Sequence, residues 1–89
     1  KAMASFVQKI EVEVSSPEEA VRAASLGVDI VMLDNFSPQS VRLADSLLRE
    51  GKLREKVMLE ASGLINEQNV ALYAPYVDVI SLGISLEER

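Results

Sequence analysis

The stretch that decides the fold is VDIVMLDN, residues 28–35. It is an apolar run that ends in an acid and an amide, Asp34 and Asn35. Gly27 precedes it, and a helix-starting sequence follows. A continuous apolar run bounded by turn residues predicts a β-strand over residues 28–34, buried on both faces.

Asp34 and Asn35 then lie at the C-terminal end of this strand. In parallel α/β folds this is where ligands bind, because the loops converge there and the next helix presents its N-terminus. The structural alternative is that the two residues only end the strand, while Ser37 caps the next helix and Pro38 takes its first position. That alternative leaves the acid at the end of so apolar a run unexplained, so we favour a ligand site.

Composition limits the class of protein. The chain has 89 residues, 48% of them hydrophobic, and no cysteine, which predicts one small domain without disulfides. No apolar run approaches the roughly 18 residues of a membrane helix. Residues 1–9 lack the apolar core of a secretory signal. We therefore predict a cytoplasmic protein with no membrane partner.

The charge excludes further functions. Fourteen acids against nine bases give a net charge of −5, which argues against a nucleic-acid partner. There is no histidine, the commonest general base and zinc ligand. Any catalysis must use carboxylates, lysines, hydroxyls, backbone amides or an oxygen-bound metal.

The chain alternates strand and helix in the order β-α-β-α-β-α-β, which predicts parallel pairing and right-handed crossovers. The predicted strands are residues 10–14, 28–34, 57–61 and 77–83. The start signals of the predicted helices are residues 15–19, 37–39 and 66–69, and the short third helix covers residues 70–74 and is closed by Pro75. Residues 52–56 form a polar connector before the third strand.

Two architectures fit this order, an open doubly wound sheet or an arc of a (β/α) TIM-like barrel. Glu11, Glu13, Glu60 and Ser62 are polar positions on otherwise apolar strands. Helices on both faces would bury them at a cost, whereas the inner mouth of a barrel would not. We predict a barrel arc of four parallel strands and three crossover helices. Its open edges predict either a part of something larger or a homo-oligomer.

Four motifs in register resemble one family. They are IEVEV at 10–14, IVMLDN at 30–35, LEASG at 59–63 and VDVISLG at 77–83. In this order and spacing they resemble the C-terminal barrel domain of the quinolinate phosphoribosyltransferase family, also called nicotinate-nucleotide pyrophosphorylase (carboxylating). The resemblance covers essentially residues 9–83.

The resemblance implies a transferase of NAD biosynthesis. The family transfers the phosphoribosyl group of phosphoribosyl pyrophosphate to quinolinate with Mg²⁺, and forms nicotinate mononucleotide, pyrophosphate and carbon dioxide. The family fold is an N-terminal α/β sandwich followed by an incomplete barrel, with active sites completed across an oligomer. On this basis residues 1–89 are a partial barrel domain, without the sandwich and the first barrel strands.

The resemblance also implies roles for two acids. Glu13 and Asp34 match the family acids that handle the ribose hydroxyls and magnesium, so we expect them to be catalytic and to hold Mg²⁺, partly through water. Mg²⁺ prefers a few carboxylates together with substrate oxygens and water. Fixed negative charge near the ribose would also stabilise an oxocarbenium-like transition state.

Other matched positions concern the phosphate. Ser62, Gly63, Leu64 and Gly83 match the loops that bind the ribose 5′-phosphate through backbone N–H groups and a hydroxyl. Without the other motifs, the two glycines would be ordinary strand-end turns. Glu60 is expected to be a supporting acid at the same mouth.

The sequence departs from the family pattern in three places. Leu64 stands where the family usually has a second glycine, and residues 84–87 read ISLE where it commonly has Ala-Leu-Thr-His. The family's quinolinate-binding basic residues match positions upstream of residue 1. We therefore predict that the 89-residue chain alone is inactive. A non-catalytic barrel arc used for assembly, or the related molybdenum-transport-associated protein, are the alternatives.

Overall fold

The predicted order of elements is confirmed. The structure is a computed structural model, and it describes residues 9–81. Its strands are β1 (Glu11–Val14), β2 (Ile30–Asp34), β3 (Met58–Ser62) and β4 (Val79–Ser81), and its helices are α1 (Pro17–Ser25), α2 (Pro38–Glu50) and α3 (Val70–Tyr73). Short 3-10 helices lie at Arg54–Lys56 and Ala74–Tyr76. The strands form one parallel sheet in the order β1-β2-β3-β4.

The starts of the two long helices follow from local chemistry. The Ser16 hydroxyl accepts a hydrogen bond from the Glu19 N–H, and the Ser37 hydroxyl accepts one from the Ser40 N–H, both at 3.2 Å. A proline follows each serine and needs no hydrogen-bond partner for its nitrogen. Within residues 9–81, no helix is long and apolar enough to cross a membrane.

The helices cover only one face of the sheet. Because each strand is followed by a neighbour on the same side, right-handed crossovers place every helix on the same face. There α1 packs against α2, and α2 packs against α3. The buried core between helices and sheet includes Val14, Val31, Leu33, Leu59 and Ala61 from the strands and Ala20, Val41, Ala44 and Leu48 from the helices.

The opposite face of the sheet is open, as in an arc of a barrel, and the sheet does not close among the described residues. The prediction that residues 28–34 are buried on both faces is therefore wrong. Val31 and Leu33 are fully buried, but Ile30, Met32 and Asp34 are only half-buried. One face of strand β2 is covered by the helices, and the other lies on the open face of the sheet.

The same pair of hydrogen bonds, between an aspartate and the neighbouring strand, occurs twice towards the N-terminal ends of the strands. The Asp29 carboxylate accepts a hydrogen bond from the Ile10 N–H at 2.8 Å, and the Asp29 N–H donates to the Ile10 carbonyl at 2.9 Å. Asp78 makes the same pair of bonds with Leu59, at 2.9 and 2.8 Å. These bonds set the strands in register. Strand β2 consequently begins at Ile30, two residues later than predicted.

The third helix lies within the predicted residues 70–74, at Val70–Tyr73. The amide oxygen of Asn66 accepts hydrogen bonds from the N–H groups of Gln68 and Asn69, at 2.8 and 3.1 Å. This side-chain turn competes with helical hydrogen bonding, so α3 starts only at Val70. The α-helix ends before Pro75, as predicted. Pro75 lies in the first turn of the 3-10 helix that follows, where its missing N–H costs nothing.

The segment predicted as a polar connector contains a buried ionic centre. Arg54 has a side chain only 11% exposed, and its Nε lies 2.8 Å from a carboxylate oxygen of the buried Asp45. The second oxygen of Asp45 lies 2.9 Å from Nε of Arg49, which is exposed. This hydrogen bond, and then the charge of Asp45, raise the pKa of Arg49.

Arg54 also joins the sheet to the helices. One terminal nitrogen donates to the Val57 carbonyl, and the other donates to the Tyr76 carbonyl, both at 3.3 Å. The same nitrogen that reaches Tyr76 lies 3.2 Å from the Asp78 carboxylate. One side chain thus connects α2 with the starts of β3 and β4, at the end of the sheet opposite to the predicted site.

A buried hydroxyl connects α3 to the strand end of β2. The Tyr73 hydroxyl donates to the Phe36 carbonyl at 2.9 Å, and both residues are buried. We expect Tyr73→Phe to lower the free energy of unfolding by about 1–2 kcal/mol, because the carbonyl would lose its partner without gaining water. Urea unfolding measures this change.

Tyr76→Phe is the matched control for that change, since among residues 9–81 the Tyr76 hydroxyl makes no comparable bond. An equal loss in the two variants would contradict a specific contribution from the Tyr73 bond.

Candidate functional site

Polar side chains line the C-terminal edge of the open face. Asp34 on β2 pairs in register with Ser62 on β3, and Ser62 pairs with Ser81 on β4. One row deeper, Glu13 and Glu60 flank Met32. Because side chains alternate along a strand, both rows point to the same, open face. The structure therefore brings Glu13, Asp34, Glu60 and Ser62 to one edge.

Glu13 and Asp34 are diagonal neighbours on adjacent strands. Glu13 pairs with Met32, two residues before Asp34. The spacing of parallel strands and the rise along them place their Cα atoms about 8 Å apart. Glu13 is exposed and Asp34 half-buried, so solvent reaches both carboxylates.

This pair of acids fits a weakly held magnesium ion. Among residues 9–81 no group of three or more acidic, histidine or cysteine side chains is placed to enclose a metal. Mg²⁺ is commonly held by one or two carboxylates with the remaining positions taken by water and substrate phosphates. Glu13 and Asp34 would provide such a set, and Lewis-acid stabilisation of phosphate oxygens is the chemistry that the ion would supply when bound.

Glu60 has a partner that the sequence did not reveal. The Ser81 hydroxyl donates to a carboxylate oxygen of Glu60 at 2.6 Å. The bond ties the end of β4 to β3, next to the row that contains Asp34 and Ser62. A serine inside the apolar run of the fourth predicted strand was the only available signal, and its register with Glu60 follows from strand pairing alone.

Gly63 follows β3 in a conformation that side chains rarely adopt. Its φ is +107°, and a Cβ built on it would collide with the side-chain oxygen of Asn35. Glycine is thus required here by two local constraints.

Leu64, at the position of the family's second glycine, is under no such constraint. In the described part of the chain, positive φ values occur at Gly27, Asn35, Lys52 and Gly63 only. The side chain of Leu64 is 63% exposed, and its carbonyl accepts a hydrogen bond from the Asn69 amide at 2.9 Å. The backbone at this position does not depend on glycine. Gly83 and the departure at 84–87 lie outside the described residues.

Asn35 is placed between the two strand ends. It has a φ of +58°, and its N–H donates to the Ser62 carbonyl at 3.0 Å. Asparagine tolerates this left-handed conformation better than most residues. The hydrogen bond continues the β2–β3 pairing beyond the last strand residue, so the loops after β2 and β3 leave the sheet together.

A parallel sheet with helices on one face and carboxylates at the C-terminal strand ends defines a segment of a (β/α)-barrel enzyme. The chain belongs to the quinolinate phosphoribosyltransferase family: residues 1–88 match the model of the domain described as "Quinolinate phosphoribosyl transferase, C-terminal domain".

Individual relatives agree with this assignment. The chain is 52% identical over 80 residues to a probable nicotinate-nucleotide pyrophosphorylase [carboxylating] of Methanothermobacter thermautotrophicus, covering 89% of the chain and 29% of that protein. It is 43% identical over 82 residues to the human nicotinate-nucleotide pyrophosphorylase [carboxylating], covering 91% of the chain and 27% of that protein. The chain thus spans less than a third of the length of these relatives.

Solved structures show the same fold. The nicotinate-nucleotide pyrophosphorylase from Francisella tularensis superimposes with a TM-score of 0.71 and 40% identity, covering 85% of this chain and 26% of that one. The enzyme from Ehrlichia chaffeensis gives a TM-score of 0.72 with 30% identity, covering 85% of this chain and 26% of that one. The predicted resemblance and fold class are confirmed.

Proposed function

We propose that the protein transfers the phosphoribosyl group of phosphoribosyl pyrophosphate to quinolinate, forming nicotinate mononucleotide, pyrophosphate and carbon dioxide. The observation that carries the proposal is the pair Glu13 and Asp34, the first exposed and the second half-buried, on the open face of a chain that belongs to this family. The C-terminal edge of the strands is where barrel enzymes bind their substrates.

In this reaction Glu13 and Asp34 bind the ribose end of phosphoribosyl pyrophosphate. Their carboxylates accept hydrogen bonds from ribose hydroxyls and would hold Mg²⁺, in part through water. As the bond to pyrophosphate lengthens, positive charge develops on the ribose ring. Two fixed negative charges next to the ring stabilise that charge without having to reorganise.

The loop after β3 takes the 5′-phosphate. Ser62 offers a hydroxyl, and the backbone N–H groups of Gly63 and Leu64 offer further donors at the same edge. Gly83, which lies outside the described residues, would contribute in the same way. Glu60 supports this edge through its bond to Ser81.

The net charge of −5 indicates what residues 1–89 lack. Both substrates are strongly anionic, and quinolinate carries two carboxylates that need cationic partners. Along the open face, the described residues at the site are acids, serines, glycine and apolar side chains. The basic residues that bind quinolinate must therefore come from outside this edge, either from further chain or from a partner subunit.

The test is whether nicotinate mononucleotide forms from quinolinate and phosphoribosyl pyrophosphate in the presence of Mg²⁺. Chromatography measures the product. We expect the intact gene product to form it, and the purified 89-residue chain to form none. Product from the short chain would contradict its predicted inactivity. An intact, folded gene product that forms no nucleotide would contradict the proposed function and favour a scaffold role.

A further inference from the structure

We infer that Asn35 is a positioning residue of this site: it fixes the β3–α3 loop against the end of β2, and thereby sets Asp34 relative to the donors for the 5′-phosphate. The inference rests on the proposed function. Asn35 contacts neither substrate in the proposed function. Its side chain instead determines how the ribose-binding acids lie relative to the phosphate-binding loop.

The backbone of Asn35 provides the first link. Its N–H donates to the Ser62 carbonyl at 3.0 Å, which is possible because the residue adopts a φ of +58°. Asp34, its neighbour in sequence, pairs in register with Ser62. The acid that binds ribose and the serine that binds phosphate are therefore joined through one hydrogen bond at the exit of both strands.

The side chain of Asn35 provides the second link. It fills the space that a Cβ of residue 63 would occupy, with Cγ 3.0 Å from that position. Gly63 can follow the left-handed path at φ +107° only while it has no side chain, and the amide of Asn35 closes the space beside it. The phosphate-binding backbone is thus held from one side by Asn35.

The consequence is a geometric coupling between ribose and phosphate recognition. Phosphoribosyl pyrophosphate must reach the carboxylates and the loop N–H groups at the same time. A misplacement of about 1 Å in such an arrangement can cost about a hundredfold in rate. Quinolinate is bound by basic residues elsewhere, so its recognition does not depend on this contact.

The test is the Asn35→Gly variant of the intact gene product, compared with the wild type. Glycine retains the left-handed backbone and the N–H, and removes only the side chain. We expect the KM for phosphoribosyl pyrophosphate to rise about tenfold or more, while the KM for quinolinate and the melting temperature change little. A purely structural role would instead lower the melting temperature and the amount of active enzyme, and leave both KM values unchanged.

Lys52→Gly is the matched control. Lys52 is the second non-glycine residue with a left-handed φ, at +60°, among residues 9–81, and it lies after α2 at the opposite end of the sheet. Its variant should retain both KM values. This control separates the effect of an added glycine from the loss of the Asn35 side chain.

A double-mutant cycle with Gly63→Ala tests the contact directly. Alone, Gly63→Ala adds both left-handed strain and the collision with Asn35. In the Asn35→Gly background the side-chain collision is gone and only the approach to the backbone N of residue 35, at 3.0 Å, remains. Gly63→Ala should then raise the KM for phosphoribosyl pyrophosphate by a smaller factor. Gly27→Ala is a control for the backbone strain alone: Gly27 has a φ of +91°, and nothing lies within 4 Å of its added Cβ. Its effect on the melting temperature shows what a left-handed alanine costs without a collision.

Two results would overturn the inference while the proposed function stands. One is an active wild type whose Asn35→Gly variant retains the wild-type KM for phosphoribosyl pyrophosphate. The other is a cycle in which the effects of Asn35→Gly and Gly63→Ala simply multiply. A folded wild type without transferase activity would instead overturn the proposed function, and with it this role of Asn35.

Discussion

Replacing Arg54 with alanine is expected to lower the free energy of unfolding by about 3–5 kcal/mol, because it removes the buried partner of Asp45 and leaves that carboxylate only the exposed Arg49. Asp45 has a side chain only 9% exposed and lies 2.8 Å from Arg54. The substitution also removes the donors to the Val57 and Tyr76 carbonyls. Urea unfolding of the intact gene product, followed by circular dichroism, measures the change.

Arg49→Ala is the control for this prediction. Arg49 also bonds the Asp45 carboxylate through its own Nε atom, at 2.9 Å, but the side chain of Arg49 is 60% exposed. Water can replace it, so the urea midpoint should barely move. Equal shifts for the two variants would show that pairing with Asp45, and not burial of the ionic centre, determines the stability.

The second large effect is expected on activity. We expect Glu13→Gln and Asp34→Asn each to lower kcat/KM by about a hundredfold or more, because each removes a fixed negative charge next to the developing cation. Both variants retain the shape of the side chain, and both residues are open to solvent, so the fold should be unaffected. Steady-state rates with saturating Mg²⁺ measure the loss.

Glu11→Gln is the matched control, since Glu11 lies on the same face of β1, two residues further from the C-terminal edge. It should retain nearly full activity. An equal loss in Glu11→Gln would indicate a general effect of the field of the acidic face. Calorimetry of phosphoribosyl pyrophosphate binding with Mg²⁺ adds a second readout, and we expect binding to be lost in Glu13→Ala and Asp34→Ala.

Much of the fold follows from short stretches of sequence. The apolar run ending at Asp34 and the alternation in residues 10–14 gave strands within two residues of those observed. Ser16 with Pro17, and Ser37 with Pro38, gave the helix starts. These signals are reliable because each depends on bonds or side-chain periodicity within a few neighbouring residues.

The site could be predicted only in part. Asp34 was found because it ends an apolar parallel strand, where ligands bind. Glu13 was singled out by the family resemblance. Their catalytic roles come from family resemblance and stay predictions. The bond between Ser81 and Glu60 could not be predicted, because the two residues are 21 positions apart and meet only through the register of their strands.

The sequence by itself determined the parallel β/α order, the capped helices and the acids at the strand ends. The tertiary structure alone decided that one face of the central strand is open, that Arg54 is the centre of a buried ionic cluster, and that Asn35 fills the space beside Gly63. The physical reason is that burial and contact of these groups depend on segments brought together from distant parts of the chain. No local pattern of polarity specifies which of them will meet.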